Sequence, residues 1–238
     1  MGTKMNKLKV LNLYAGIGGN RKLWDNDLVE VTAVENVPEI AKIYQDFFPN
    51  DKVIVTDAHK YLLDNYKEFD FIWSSPPCPS HSRIRNEAGV GNGQVPAIYP
   101  DMKLYEEIIF MKHFCKDKMW VVENVISYYE PLIKPYKFRE HYYWSNFPIV
   151  GKKNANRGHM GSMKDLRDSK SFDLSKYKKD IDERKLLRNC VEPEAGKIIF
   201  DMAFKIKQEV LFWPRIRKQK RNETNKWRLF RVNERYSR

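Results

Sequence analysis

Cys78 stands behind two consecutive prolines, Pro76 and Pro77, at the close of an apolar run that begins at Phe69. Proline fixes its own φ and restricts the residue before it, so this thiol rides on a backbone that cannot relax away. A cysteine held in that manner is a candidate nucleophile, because the thiolate is reactive near neutral pH and can leave again. The plainer alternative is a proline-rich turn around a buried thiol, free cysteine being among the most buried residue types. A second chemistry is written nearer the N-terminus. Ala15-Gly16-Ile17-Gly18-Gly19 follows an apolar run, and Glu35 lies sixteen residues beyond its last glycine. Glycines let the backbone turn tightly against a ligand, and a carboxylate at that spacing suits ribose hydroxyls. The loop departs from the full G-x-G-x-x-G pattern, so a simple tight turn is the alternative there.

The elements that must carry these residues follow from periodicity. Short apolar runs at Lys9 to Tyr14, Glu30 to Val34, Lys52 to Val55, Phe69 to Trp73 and Met119 to Val122 read as buried strands. They end respectively at the glycine loop, Glu35, Asp57, the Ser-Pro-Pro-Cys turn and Glu123-Asn124-Val125. Each polar candidate thus falls at the carboxyl end of a strand, the edge where open parallel sheets bind ligands. Helices are predicted after the glycine loop through Leu23, Trp24 and Leu28, and over Pro38 to Phe48, Ala58 to Tyr66, Asp101 to Cys115 and Asn189 to Phe204. Between Cys78 and Asp101 a stretch with Gly89, Gly91 and Gly93 lacks periodicity and reads as a mobile catalytic loop. Phe138 to Ile149 alternates and is aromatic, so it reads as one strand of a later hairpin with Arg139 at its start. The fold class is α/β with a mostly parallel sheet.

A chain of 238 residues holds one such domain and a small annex. No run of about eighteen apolar residues and no apolar leader is present, so a soluble, cytoplasmic protein without a membrane partner is expected. Three widely spaced cysteines argue against a disulfide framework. The net charge of +12 is uneven: residues 1–150 carry 18 Lys and Arg against 19 Asp and Glu, leaving 25 against 12 in the remainder. That asymmetry points to a polyanion, nucleic acid foremost, gripped through a salt-sensitive contact, with a solvated basic tail as the alternative. His81 follows Cys78 by three residues, but no second pair at metal spacing appears, so no metal is expected. Cys115 reads as helix packing.

In order along the chain, these segments resemble the cytosine-5 DNA methyltransferases that use S-adenosylmethionine, especially short phage-encoded members. Leu13 to Gly19 is similar to the family's cofactor loop, Pro76-Pro77-Cys78 with Ser80 to its nucleophile motif, and Glu123-Asn124-Val125 to its catalytic glutamate motif. Asp101 and Leu104 are similar to the motif that opens the following helix, and Arg188 to Pro193 to the late motif that folds back on the cofactor. The resemblance implies a Rossmann-like methyltransferase fold with a small basic target-recognition annex. It implies catalytic roles for Cys78, Glu123 and Arg139, and S-adenosylmethionine contacts from Tyr14, Gly16, Gly18, Glu35, Asp57, Pro76, Leu104, Asn189 and Val191. Ser80, Arg83 and Arg85 would meet nucleic acid, with a solvated loop as the alternative for the two arginines. Cys190 would be a small buried residue near the cofactor.

The resemblance also implies the organisation: a catalytic domain over 1–150, a recognition region over 151–187, a returning helix over 188–213 and a basic tail over 214–238. The partner would be double-stranded DNA and the protein a monomer, as many members are, in the host cytoplasm if phage-encoded and alone or beside a restriction nuclease. The implied chemistry is addition of Cys78 to carbon 6 of a flipped cytosine, Glu123 stabilising the protonated ring, and methyl transfer to carbon 5. Three departures stand out. The motif of glutamine and two arginines at alternate positions is Lys137, Arg139 and His141 here, Pro79 replaces the glutamine after the nucleophile, and the target-recognition region is much shorter than in restriction-linked members. Three other readings compete: a tRNA cytosine-5 methyltransferase, an exocyclic-amine methyltransferase, in which Cys78 would displace a stacking aromatic, and a catalytically silent nucleic-acid-binding module.

Overall fold

The first strand, β1 (Leu8–Leu13), shows why the apolar runs are unbroken rather than alternating. Val10 faces a core shared with Trp24, Phe71, Trp73 and Val121, while Leu11 and Leu13 face another with Ile72, Leu104, Ile108 and Val122. A strand covered on both faces is apolar at most positions, and the buried exception in β1, Asn12, exchanges side-chain hydrogen bonds with Asn20. The computed structural model describes residues 6–151, 162–177 and 181–204. The basic tail expected over 214–238 and part of the expected recognition region lie outside them.

Around β1 the chain lays down β2 (Val29–Glu35), α1 (Pro38–Phe47), β3 (Lys52–Val55), α2 (Ala58–Asn65), β4 (Phe71–Ser74), α3 (Lys103–Phe114) and β5 (Met119–Val125). An antiparallel pair follows, β6 (Tyr136–Phe138) and β7 (His141–Ser145), then α4 (Met163–Lys170) and α5 (Glu183–Asn189). The seven-stranded sheet has the order β3-β2-β1-β4-β5-β7-β6. Its first five strands are mutually parallel, and β7 pairs antiparallel with β5 from Val121↔Ser145 to Val125↔His141. After β1 the chain winds outward to β3 and then returns to β4 on β1's other side. The loops following β1 and β4 therefore flank the switch point at which such sheets open a crevice.

All five parallel strands lie where the sequence places them. The helix expected after the glycine loop does not form. Residues 14–28 make successive turns, with Trp24 N–H donating to the Arg21 carbonyl at 3.0 Å and Leu28 N–H to the Asp25 carbonyl at 3.1 Å. Of the three residues that set the helical spacing only Trp24 is buried, stacked on Phe200 at 4.9 Å, whereas Leu23 and Leu28 are exposed. Arg21 holds the segment in place through Asp51, with Nε–Oδ2 at 2.9 Å and Nη2–Oδ1 at 3.1 Å, both side chains being buried. Two smaller differences concern later elements. The segment Phe138 to Ile149 is not one strand, because the chain reverses at Arg139 and Glu140. The helix expected from Asn189 is broken at Cys190 to Glu192 and restarts at Pro193, the first-turn position that proline favours.

The segment from α4 to α5 is fastened to the sheet domain. Leu166, Phe172, Leu174 and Leu187 form one apolar cluster with Ile17 of the glycine loop and Ile43 of α1. The cation of Lys22 lies 3.8 Å over the Phe172 ring. No helix among the described residues is long and apolar enough to cross a membrane.

Candidate active site

The loop after β1 is built from residues that must leave ordinary backbone space. Tyr14, Gly16 and Gly18 have φ of 53°, 54° and 83°. For Tyr14 the left-handed conformation costs on the order of 1–3 kcal/mol, which its surroundings must hold. At Gly18 a side chain has no room, since a Cβ would sit 2.8 Å from the Tyr44 ring and closer still to Phe48. At Gly16 nothing lies within 4 Å of where a Cβ would stand, so the backbone there faces open space. Glu35, buried at the end of β2, closes one side of that space. Its Oε2 accepts from Gly16 N–H and its Oε1 from Val37 N–H, both at 3.0 Å. Each carboxylate oxygen retains a lone pair able to accept from a ribose hydroxyl.

Asp57 sits just past β3 and caps α2, its Oδ1 accepting from Lys60 N–H at 2.8 Å. Leu104 is buried among Leu11, Leu13 and Val34, and Tyr14 packs partly against the same cluster. Val191 reaches the loop through its backbone: its carbonyl oxygen and the Cys190 sulfur occupy the space a Cβ on Gly19 would need. Asn189, by contrast, is exposed at the end of α5.

The nucleophile loop leaves β4 beside that edge. Pro76 is buried and its carbonyl accepts from Asn124 Nδ2 at 3.0 Å. That bond ties the Pro-Pro-Cys turn to the end of β5, the strand that carries Glu123. The Cys78 carbonyl accepts from the N–H groups of His81 and Ser82, both at 3.0 Å, which closes the turn. Burial first, and then the charge of Glu123, pushes the Cys78 thiol up to about 11, so the resting thiol carries its proton. Cys78 is partly accessible, whereas Cys115 and Cys190 are buried.

The residue that meets Glu123 is His141, while Arg139, to which the resemblance gives a catalytic role, is engaged elsewhere. Arg139 lies in the β6–β7 turn with a positive φ of 53°, and its almost wholly buried guanidinium is taken up by Glu192 and, at 3.1 Å, by Glu194. Among the described residues it makes no ion pair with Glu123. His141 stands there instead, its Nε2 3.5 Å from Glu123 Oε1. Glu123 opposes Tyr143 across the β5–β7 ladder, and His141 shares the face of Tyr143 two residues away, so the two side chains meet diagonally.

On the loop beyond Cys78, the Ser80 hydroxyl accepts from Asp101 N–H at 3.0 Å and pins the loop to the start of α3. Arg83 is exposed beside Glu87 at 3.8 Å, and Arg85 donates to the Pro96 carbonyl at 3.0 Å. Part of this supposedly aperiodic stretch winds into a wide helical turn over Arg85–Val90. His81 is buried, with Nδ1 2.6 Å from the Tyr129 hydroxyl, and burial lowers its affinity for a proton.

Sequence reasoning missed Glu107. It is fully buried on α3, yet three side chains converge on it: the Tyr14 hydroxyl at 2.6 Å, the Ser74 hydroxyl at 2.6 Å and His59 Nδ1 at 3.2 Å. A signal was available, since Glu107 falls on the apolar stripe of Leu104, Ile108 and Met111, where a carboxylate is costly unless hydrogen-bonded.

A glycine loop on one side of a parallel sheet's switch point and a thiol beside a carboxylate on the other have the arrangement of a group-transfer site for a nucleotide cofactor. The family model for C-5 cytosine-specific DNA methylase matches residues 8–131, just over half of the chain, and the chain belongs to that family. S-adenosylmethionine is the cofactor this membership supports, and the residues fit it: open space over Gly16, and Glu35 with acceptor capacity to spare.

Among solved structures the chain is similar to an S-adenosylmethionine-dependent methyltransferase from Agrobacterium tumefaciens, with 19% identity over 52% of this chain and 40% of that one and a TM-score of 0.35. It is also similar to a methyltransferase of Entamoeba histolytica, with 16% identity, 51% and 39% coverage and a TM-score of 0.33. A Spodoptera frugiperda DNMT2 mutant gives 22% identity, 50% and 36% coverage and a TM-score of 0.34. The chain thus spans about two-fifths of the length of these structures. No curated protein matches it.

Proposed function

We propose that the protein methylates carbon 5 of cytosine in DNA through a covalent adduct on Cys78. The observation that carries this reading is the Asn124 Nδ2 to Pro76 carbonyl bond, which fastens the thiol-bearing turn to the strand bearing Glu123. Two groups of opposite chemical role are thereby set side by side at the end of adjacent parallel strands.

Carbon 5 of cytosine is a poor nucleophile while the ring is aromatic. Addition of the Cys78 sulfur to carbon 6 breaks the conjugation and concentrates electron density at carbon 5. Glu123 stabilises the adduct by hydrogen bonding to ring N3 and the exocyclic amine as N3 takes a proton. Engagement of that charge removes the second, smaller cause of the raised Cys78 titration and so increases the thiolate fraction when the base arrives; the proton that N3 takes is the one the thiol gives up, passed by way of the Glu123 carboxylate. S-adenosylmethionine, when bound, supplies the electrophilic methyl group that carbon 5 takes. Loss of the carbon 5 proton to solvent then expels the sulfur as thiolate, and return of the N3 proton through Glu123 to that thiolate restores the ring and the thiol. A stacked base cannot reach Cys78, so the cytosine is flipped out of the duplex, with the loop around Ser80, Arg83 and Arg85 against the opened strand. The excess positive charge beyond residue 150 supports a polyanionic substrate.

The test is incubation with labelled S-adenosylmethionine and duplex DNA carrying 5-fluorocytosine, followed by denaturing electrophoresis. Fluorine at carbon 5 blocks the last elimination, so a cofactor-dependent protein–DNA band that vanishes in Cys78→Ser is expected. A band on transcribed tRNA but on no DNA would move the substrate to RNA. Methyl transfer by Cys78→Ser at the wild-type rate would overturn the covalent mechanism.

A further inference from the structure

The transfer chemistry proposed above makes no use of Glu107, although its carboxylate is fully buried beside the site. Its three partners come from three elements at the same sheet edge. Tyr14 belongs to the cofactor loop, Ser74 is the last residue of β4, four before Cys78, and His59 is the second residue of α2, two after Asp57. A buried carboxylate needs both hydrogen bonds and a counterion. Among the described residues, His59 is the one cationic group within ion-pair distance of Glu107. Resting on the methyltransferase reading, we propose that Glu107 is a positioning residue that holds Tyr14 and the end of β4 in the cofactor-binding arrangement, with protonated His59 as its counterion.

The charges around this cluster are consistent with that role. The hydrogen bond to Glu107 holds His59 in its protonated form to higher pH than usual; burial opposes this, the charges of Glu107 and Glu106 assist it, and Lys103 works against it. Burial, then Glu107, Asp57 and Asp101, keep the Tyr14 phenol protonated, so toward the Glu107 carboxylate it acts as a donor. With the folded titration of His59 raised, its stabilising contribution is complete below about pH 6.5 and is lost as the pH climbs through the raised value. Deprotonation leaves the buried Glu107 charge without its counterion, a cost that falls on the folded arrangement around Tyr14 and Ser74. Cofactor affinity should therefore decline over the same interval.

The experiment is calorimetric titration of the full chain with S-adenosylmethionine from pH 5.5 to 8.5, comparing wild type with Glu107→Gln, Tyr14→Phe and His59→Gln. In Tyr14→Phe, which removes a single hydroxyl, affinity at pH 6 should fall about tenfold, the loss expected for a hydrogen bond to a charged group. In His59→Gln and Glu107→Gln the pH-dependent part seen in wild type should disappear, whereas the cofactor's own titration, common to all four proteins, stays. In turnover the loss should appear in KM for the cofactor more than in kcat. Wild-type affinity and wild-type pH dependence in Tyr14→Phe and His59→Gln would overturn the inference, and those two decide the matter should Glu107→Gln fail to fold. Failure of wild type to bind S-adenosylmethionine at any pH would instead refute the methyltransferase reading beneath it.

Discussion

Replacing Glu123 by glutamine should make the nucleophile more reactive while making the enzyme worse. The Cys78 thiol is pushed up to about 11 by burial and then by the Glu123 charge. At pH 8 that leaves roughly one molecule in a thousand as thiolate. Glutamine keeps the shape and removes the charge, the smaller of the two causes, and a change of about one pH unit in the titration makes thiolate about tenfold more abundant. A less basic thiolate is also a weaker nucleophile, with a Brønsted coefficient near 0.4–0.5, so the net gain in rate is about threefold to fourfold. The assay is alkylation by iodoacetamide at several pH values, following the Cys78 peptide by mass spectrometry. Cys115 and Cys190, which burial also pushes up to about 11, serve as internal references and should not change. Glu123→Asp, which keeps the charge, should stay near wild type. Methyl transfer by Glu123→Gln should fall about 10²–10⁴-fold, as for loss of a general acid–base group. An unchanged or slower Cys78 alkylation would mean that the carboxylate does not reach the thiol electrostatically, and the release of thiolate on base binding would have to be abandoned.

Two further substitutions probe the cofactor side. Glu35→Ala removes the acceptor of the Gly16 and Val37 N–H groups, bonds worth about 1.5–3 kcal/mol each to a charged partner, and should weaken S-adenosylmethionine binding at least about tenfold by calorimetry; unchanged affinity would take Glu35 out of the cofactor site. Gly18→Ala forces a side chain into a positive φ and onto Phe48 and Tyr44, and should lower stability in urea unfolding by about 1–3 kcal/mol; a wild-type midpoint would show that the loop has room to move.

The strand ends were legible because a parallel strand buried on both faces is a short apolar run, and its first polar residue marks the ligand edge; Glu35, Cys78 and Glu123 all follow such runs. The turns at 19–28 were not, because Leu23, Trp24 and Leu28 have helical spacing while the conformation is set by the Arg21–Asp51 pair, thirty residues apart in the chain. The partner of Glu123 was hidden for another reason. Residues 139 and 141 would share a face if Phe138 to Ile149 were one strand, but the chain reverses at Arg139, and only His141 enters the ladder beside β5. Glu107 could be noticed as a charge on an apolar stripe. Its partners, drawn from β4, α2 and the loop after β1, follow only from topology.

The seam between Gly19 and Val191 is continued by the Trp24 indole, which donates to the Gly196 carbonyl at 3.3 Å across 172 positions of sequence. Translation delivers these two sides far apart in time. Five parallel strands, with Cys78 and Glu123 at their ends, are available once residue 125 has left the ribosome, while the wall that backs the glycine loop is still unmade. The wall behind the glycine loop is thus finished after the strand ends that carry Cys78 and Glu123, and a chain interrupted before residue 190 has the thiol and the carboxylate without that wall. Completion of the glycine loop's surroundings is in this way tied to translation through residue 196, and long-range closure of this kind also makes folding slow compared with a chain rich in local contacts.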